Sequence, residues 1–224
     1  MTESTAPEIA PPERRDVSVV VPFRMASERF PNKALSLFFG ESLIEHALDK
    51  AKRLRAREIV LTAPADDLAA LSADVDFNAF DVRVIATSSD CASATERVVS
   101  IYEQLICDTV LTIPIDEPML DADELARHLD AGCMNDPQIG AVTFYCDFFM
   151  AADYESPLSA KLVIDRHGRL LYMSRSVIPV GKGGVVDPAR LKKNVGAFVF
   201  RRSFLRALAD ASDVPTALDR HEGL

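Results

Sequence analysis

Short apolar runs recur along this chain with helical patterns between them, and that alternation leaves few folds open. VSVVV begins at Val17, EIVLT at Glu58, DVRVIA at Asp81 and DTVLTI at Asp108, and a further strand pattern covers 139–145. Runs this short and apolar suit strands buried on both faces, as in a parallel sheet. Between them, Leu43, Ala47 and Leu54 form one stripe of a helix expected from Ser42 to about Ala56. Pro64 opens a short helix carrying Leu68 and Leu71, and Val98, Ile101, Tyr102 and Leu105 mark another. Leu125 and Leu129 belong to a helix over 121–134. Strands and helices in alternation build βαβ units, whose crossover handedness puts helices on both sheet faces. The expected class is α/β: a Rossmann-like, mostly parallel sheet flanked by helices.

The texture changes after Cys146. AKLVID and RLLYM flank His167-Gly168 as a hairpin, and VGAFVF from Val195 is a further strand. This predicts a small strand-rich lobe forming one wall of a cleft, with Gly181, Gly183 and Gly184 in a mobile loop over it. Residues 1–16, polar and proline-bearing, read as a disordered leader. Residues 17–224 then form a single domain: a ligand-binding part over 17–146, the strand-rich part over 147–200, and an incomplete helical part over 201–224.

Composition narrows the partners. A formal charge of -9, from 34 acidic and 25 basic residues, argues against a generic nucleic-acid or anionic-membrane surface. No run is long enough to cross a bilayer, and no signal peptide is visible. Cys91, Cys107, Cys133 and Cys146 show neither C-x-x-C nor zinc spacing, so they read as reduced thiols of a cytoplasmic protein. The histidines form no H-x-x-x-H pair, and no serine lies in a G-x-S-x-G elbow.

Chemistry concentrates at two strand ends. Pro22 stops the first strand, and Arg24, Arg29 and Lys33 follow with Ser27, Pro31 and Asn32 among them. Cations in a turn-rich loop after a parallel strand suit an anion at the sheet's carboxyl edge, such as a nucleotide polyphosphate. Alone, such a loop is ordinary solvated surface. Asp116-Glu117-Pro118 gives it a partner, because it follows the strand 108–113 and faces the same edge. A carboxylate beside phosphate-binding cations suits Mg²⁺, which bridges protein carboxylate and substrate phosphate. Asp116 is the expected ligand, and Glu117 either supports it or caps the next helix. Ser93 and Thr95 lie where a helix begins, with Glu96 and Arg97 in its first turn. Arg175, after LLYMS, is aimed at the cleft and suits a substrate carboxylate.

These motifs together carry a resemblance. VVVPFRMASERFPNKAL resembles the P-A-R-x-x-S-x-R-L-P-x-K-P-L opening of the 3-deoxy-manno-octulosonate cytidylyltransferases, or CMP-Kdo synthetases. ASATERV is similar to their S-G-T-D/E-R, IPIDEPML to V-Q-G-D-E-P, LLYMSRSVIP to Y-F-S-R-x-x-I-P, and NVGAFVF to H-x-G-x-Y-x-Y. The resemblance implies a nucleotidyltransferase fold, a homodimer, and Mg²⁺-assisted transfer of CMP from CTP to a 2-keto-3-deoxy sugar acid with release of pyrophosphate. It implies nucleotide contacts from Pro22, Phe23, Arg24, Ser27, Arg29, Lys33, Ser93, Ala94, Thr95, Arg97 and Pro114. Arg24, Lys33 and Asp116 would carry catalysis, Asp116 the metal, and Arg175, Asn194 and Glu117 the acidic acceptor.

The sequence also departs from that pattern. Pro114 and Ile115 replace the glutamine and glycine before the metal aspartate, and proline offers neither an amide side chain nor a backbone N–H. Ala94 replaces a glycine, Asn194 a histidine, and Phe198 and Phe200 the later tyrosines. PTALDRHEGL resembles the segment before the family's E-Q-L-R. The V-D-T-P-E-D-L segment with its second metal carboxylate does not follow within these 224 residues, so a shortened C-terminus is expected. Two alternatives therefore stand beside the sugar-acid reading: a catalytically weakened nucleotide-binding protein, or a cytidylyltransferase for a non-sugar acceptor such as a phosphonate.

Overall fold

The structure, a computed structural model, describes residues 14–25 and 32–211. Ser27 and Arg29 lie outside the described residues, as do residues 1–13 of the expected leader and 212–224. The strands and helices run β1 (Arg15–Pro22), β2 (Leu37–Phe38), β3 (Glu41–Ser42), α1 (Leu43–Arg53), β4 (Ala56–Pro64), α2 (Ala65–Leu71), β5 (Arg83–Thr87) and α3 (Ala94–Val99). They continue β6 (Thr109–Thr112), α4 (Ala122–Asp130), β7 (Ala141–Asp147), α5 (Ala151–Glu155), β8 (Lys161–Ile164), β9 (Leu170–Ser174), β10 (Lys192–Arg201) and α6 (Arg202–Ala211).

One sheet of eight strands organises the chain in the order β5-β4-β1-β6-β10-β8-β9, with β7 also paired to β10. β1 lies between β4 and β6, parallel to both, and β5 continues the parallel set beyond β4. Successive side chains of a strand point to opposite faces, so a uniformly apolar strand feeds two cores. Val19 and Val21 pack with Ile44, Leu48, Leu71 and Leu125 from α1, α2 and α4. Val20 packs on the other face with Val60, Val98, Val110 and Leu205. The three-layer α/β expectation is met.

Local chemistry sets the boundaries. Ser42 caps α1, accepting from Glu45 N, while the Glu45 carboxylate accepts from Ser42 N at 2.8 Å. α1 stops at Arg53, and Arg55 turns the chain in the left-handed region at φ 54° before β4. The helix expected through Leu105 is shorter than its pattern: α3 ends at Val99 and a 3-10 turn covers Tyr102–Gln104. Ile101 and Leu105 are nonetheless buried, so the stripe records burial and not helix length. Likewise α4 ends at Asp130 and not near Met134, and Gly132 follows at φ 74°.

The expected hairpin is β8–β9, antiparallel with Leu162 opposite Met173. β7 does not sit beside β6, although it is the next strand in sequence. β10 comes between them, antiparallel to both. Non-local insertion of this kind leaves no trace in local periodicity. β10 is also broken by a register shift between Asn194 and Phe198, with Gly196 at φ 71°. Before the shift, Lys192 and Lys193 pair with β8; after it, Phe198 to Arg201 pair with β6. The cleft opens over the interval where that side of β10 passes from one partner to the other.

Candidate active site

The carboxyl ends of β1 and β6 bring the basic turn and the acidic motif together. Beyond Pro22, Phe23 N donates to Thr62 O at 3.0 Å, and Met25 N donates to the Asp67 carboxylate at 2.8 Å. Asn32 N reaches back to Met25 O at 3.3 Å, closing the loop, and Asn32 itself is left-handed at φ 55°. Lys33 follows in a 3-10 turn, with Ala34 buried beneath it. Its ammonium meets the Asp116 carboxylate at 2.9 Å, across a gap of 83 residues in sequence.

Both residues line a cleft of about 490 Å³. Pro22, Phe23 and Arg24 from β1 and its turn, Pro114 to Glu117 after β6, and Ser93, Ala94, Thr95 and Arg97 around α3 contribute to it. Arg175 and Asn194 line the far side. Every candidate among the described residues thus borders one cavity. A larger groove of about 1080 Å³ lies at the opposite, amino edge of the sheet around Arg57, Glu58 and Arg83. Three of its cations are in ion pairs: Arg57 with Asp16, Arg83 with buried Glu58 and Arg14 with Asp81.

The candidates differ in what they already hold. Ser93 caps α3, accepting from Glu96 N at 3.1 Å, and the Glu96 carboxylate accepts from Ala92 N at 2.5 Å. Arg97 is only 3% exposed and donates to the Thr87 hydroxyl and to Ser88 O. Its geometry suits shaping of the 87–93 loop. Asn194 sits at the β10 irregularity, where its side-chain oxygen accepts from Gly196 N at 3.1 Å and from the Thr143 hydroxyl at 3.0 Å. Pro114 stands against Gly196 and makes that stretch of wall apolar.

Glu117 and Lys193 form a second ion pair at 3.4 Å. Burial pushes the Glu117 carboxyl up, while the Lys193 ammonium pulls it back down. The Arg175 guanidinium donates to Pro157 O at 3.1 Å and sits at the cleft edge. Sequence reading overlooked Lys193, whose neighbour Lys192 instead pairs with Asp147. It also overlooked the loop 158–160, which forms part of the wall. A lysine doublet in a polar segment carries no mark of which member turns inward.

Among the described residues, no group of three His, Cys, Asp or Glu side chains converges as a cage for an ion. Asp116 offers a single, half-exposed carboxylate beside the Lys33 ammonium. That set fits Mg²⁺, which keeps several waters and is commonly held by one or two carboxylates together with substrate phosphates.

Basic turn, acidic motif and sheet edge form an arrangement suited to a nucleotidyltransferase, and the comparisons place the protein in that class. A cytidylyltransferase family profile matches residues 18–224, and the chain belongs to that family, with CTP-dependent cytidylyl transfer as its chemistry. Its curated relatives are divergent. The 3-deoxy-manno-octulosonate cytidylyltransferase of Pelobacter propionicus is 29% identical, over 93% of this chain and 83% of that protein. The 8-amino-3,8-dideoxy-manno-octulosonate cytidylyltransferase of Shewanella baltica is 28% identical, over 87% and 78%. The solved structure of CMP:2-keto-3-deoxy-manno-octonic acid synthetase complexed with CTP superposes with a TM-score of 0.75 at 26% identity, covering 93% of this chain and 82% of that one. A 4-diphosphocytidyl-2C-methyl-D-erythritol synthase from Anaerococcus prevotii, at 14% identity and TM-score 0.56, shares the fold.

Proposed function

We propose that this protein couples CTP to a 2-keto-3-deoxy sugar acid or a related carboxylated acceptor, giving a CMP-conjugate and pyrophosphate. The observation that carries this reading is the meeting of Lys33 and Asp116 at 2.9 Å in a cleft that Arg24 also lines. An acceptor hydroxyl attacks the α-phosphorus in line, the bond to the pyrophosphate oxygen breaks, and the hydroxyl proton passes to solvent. Such a reaction needs no protein nucleophile; it needs placement and compensation of charge. Arg24 and Lys33 hold the β- and γ-phosphates and neutralise charge gathering on the leaving group. Asp116 would hold Mg²⁺, which when bound would supply Lewis-acid withdrawal of charge from the triphosphate.

On the acceptor side, Arg175 supplies a cation for a carboxylate. Glu117, paired with Lys193, presents its carboxylate toward acceptor hydroxyls. The apolar Pro114 and the committed oxygen of Asn194 favour an acceptor that differs from the family's usual one at the contacts those positions make. We further infer a homodimer through the strand-rich side, where β9 exposes Leu170 and Leu171.

The test is a pyrophosphate-release assay with CTP, Mg²⁺ and a panel of keto-acid and phosphonate acceptors. Release that requires one of these acids and disappears in Asp116→Ala supports the reading. CTP binding without release for any acid favours the weakened, nucleotide-binding alternative.

A further inference from the structure

Among the described residues, Lys161 is the largest side chain that is entirely buried, 0% exposed at the start of β8, and no carboxylate among them pairs with it. Its ammonium instead donates to three backbone carbonyls, Ser156 O at 2.6 Å, Ser159 O at 2.8 Å and Arg175 O at 2.8 Å. Three donors meet three acceptors, so the group is fully satisfied although its charge is not. Burial pushes its pKa down, and the nearby Arg175 guanidinium adds to that. A buried, uncompensated charge is costly to keep, and an apolar side chain would fill the same space without that cost.

The three carbonyls are not scattered. Two belong to the segment that leads into Leu158, Ser159 and Ala160, which form the cleft wall opposite the basic turn. The third belongs to Arg175, whose guanidinium in turn donates to Pro157 O and Leu158 O. Lys161 and Arg175 therefore grip the same loop from two sides. The loop is tied to β10 as well, through Asn194 N donating to Ala160 O at 2.9 Å. None of these contacts reaches the basic turn or Asp116.

We propose that Lys161 is a positioning residue for acceptor recognition: it fixes the 156–160 wall and the backbone of Arg175 in register, and it adds a fixed positive charge behind the acceptor half of the cleft. This rests on the reading of the cleft as a cytidylyltransferase site with its acceptor beside Arg175. It assigns a role to a residue that touches neither substrate, and it separates the two halves of the site energetically. The nucleotide half does not depend on Lys161; the acceptor half does.

The test uses the full chain with Lys161→Met, which keeps the length and removes the charge, and Lys161→Gln, which keeps two donors. CTP and 3-deoxy-manno-octulosonate are the probes. The expected result is a rise of about tenfold or more in KM for the acid in Lys161→Met and a smaller rise in Lys161→Gln, with KM for CTP within about twofold and kcat within about threefold of wild type. Equal rises in both KM values, or a rise in neither, overturns the assignment. Failure of the wild type to bind CTP in calorimetry would instead sink the functional reading. Should the wild type not turn over this acid, or Lys161→Met not fold, amide exchange decides on whichever variant folds. Faster exchange at Ser159 and Asn194, with β1 unchanged, upholds the positioning role, and unchanged exchange at both overturns it.

Discussion

Glu117 shows how one side chain can report on the cleft. Burial holds its carboxyl above the usual glutamate range, so the folded protein binds a proton more tightly there than the unfolded chain does. Its contribution to stability therefore falls as pH rises from the ordinary glutamate value through the raised one. Melting temperature against pH for wild type and Glu117→Gln should diverge across that interval, with the variant lacking the decline. Parallel curves would place Glu117 in water. At the same scale, Lys33→Ala should weaken CTP binding by tenfold or more, on the order of 1.4 kcal/mol or above, by calorimetry. That Arg24, Lys33 and Asp116 share one cleft was legible in the sequence because charge, turn formers and strand ends are written there directly. Lys161 was not: nothing within AKLVID marks its lysine as buried, and only the fold of 156–160 around its ammonium buries it. The donors of Arg97 on Thr87 and Ser88, at the rim of the cleft, are likewise set by the fold of 87–93 and not by any local pattern.

Among the elements, β10 joins the two halves of the molecule. Its register shift lets one strand serve β8 and then β6, and Gly196 makes the shift possible at φ 71°, where an L side chain is strained. A Cβ at this position would meet Pro114 no closer than 3.5 Å, so the cost of Gly196→Ala is conformational and not steric. Denaturant unfolding should show a loss of about 1–2 kcal/mol. No loss would mean the backbone there relaxes freely. Ser42→Ala, which breaks the cap of α1, should cost about 0.5–2 kcal/mol in the same measurement. That helix start was readable from Ser42 and Glu45 three residues on. The ends of α3 and α4 were not, because buried apolar residues continue the periodicity after the hydrogen-bonded helix has stopped.

For the whole molecule, the parallel half was readable because βαβ units carry their neighbours in sequence order. The placement of β10 between β6 and β7 was not, since that pairing joins segments about fifty residues apart or more. The consequence for function is that the proposed nucleotide and acceptor halves meet across β10 and the cleft. The central claim is that Arg24, Lys33 and Asp116 grip one metal-bound triphosphate. Calorimetric titration of CTP with and without Mg²⁺, on wild type and Asp116→Asn, tests it most directly. The account predicts that Mg²⁺ tightens CTP binding to the wild type and no longer does so in Asp116→Asn, which still binds CTP in metal-free buffer through its cations. Undiminished tightening by Mg²⁺ in the variant would contradict it.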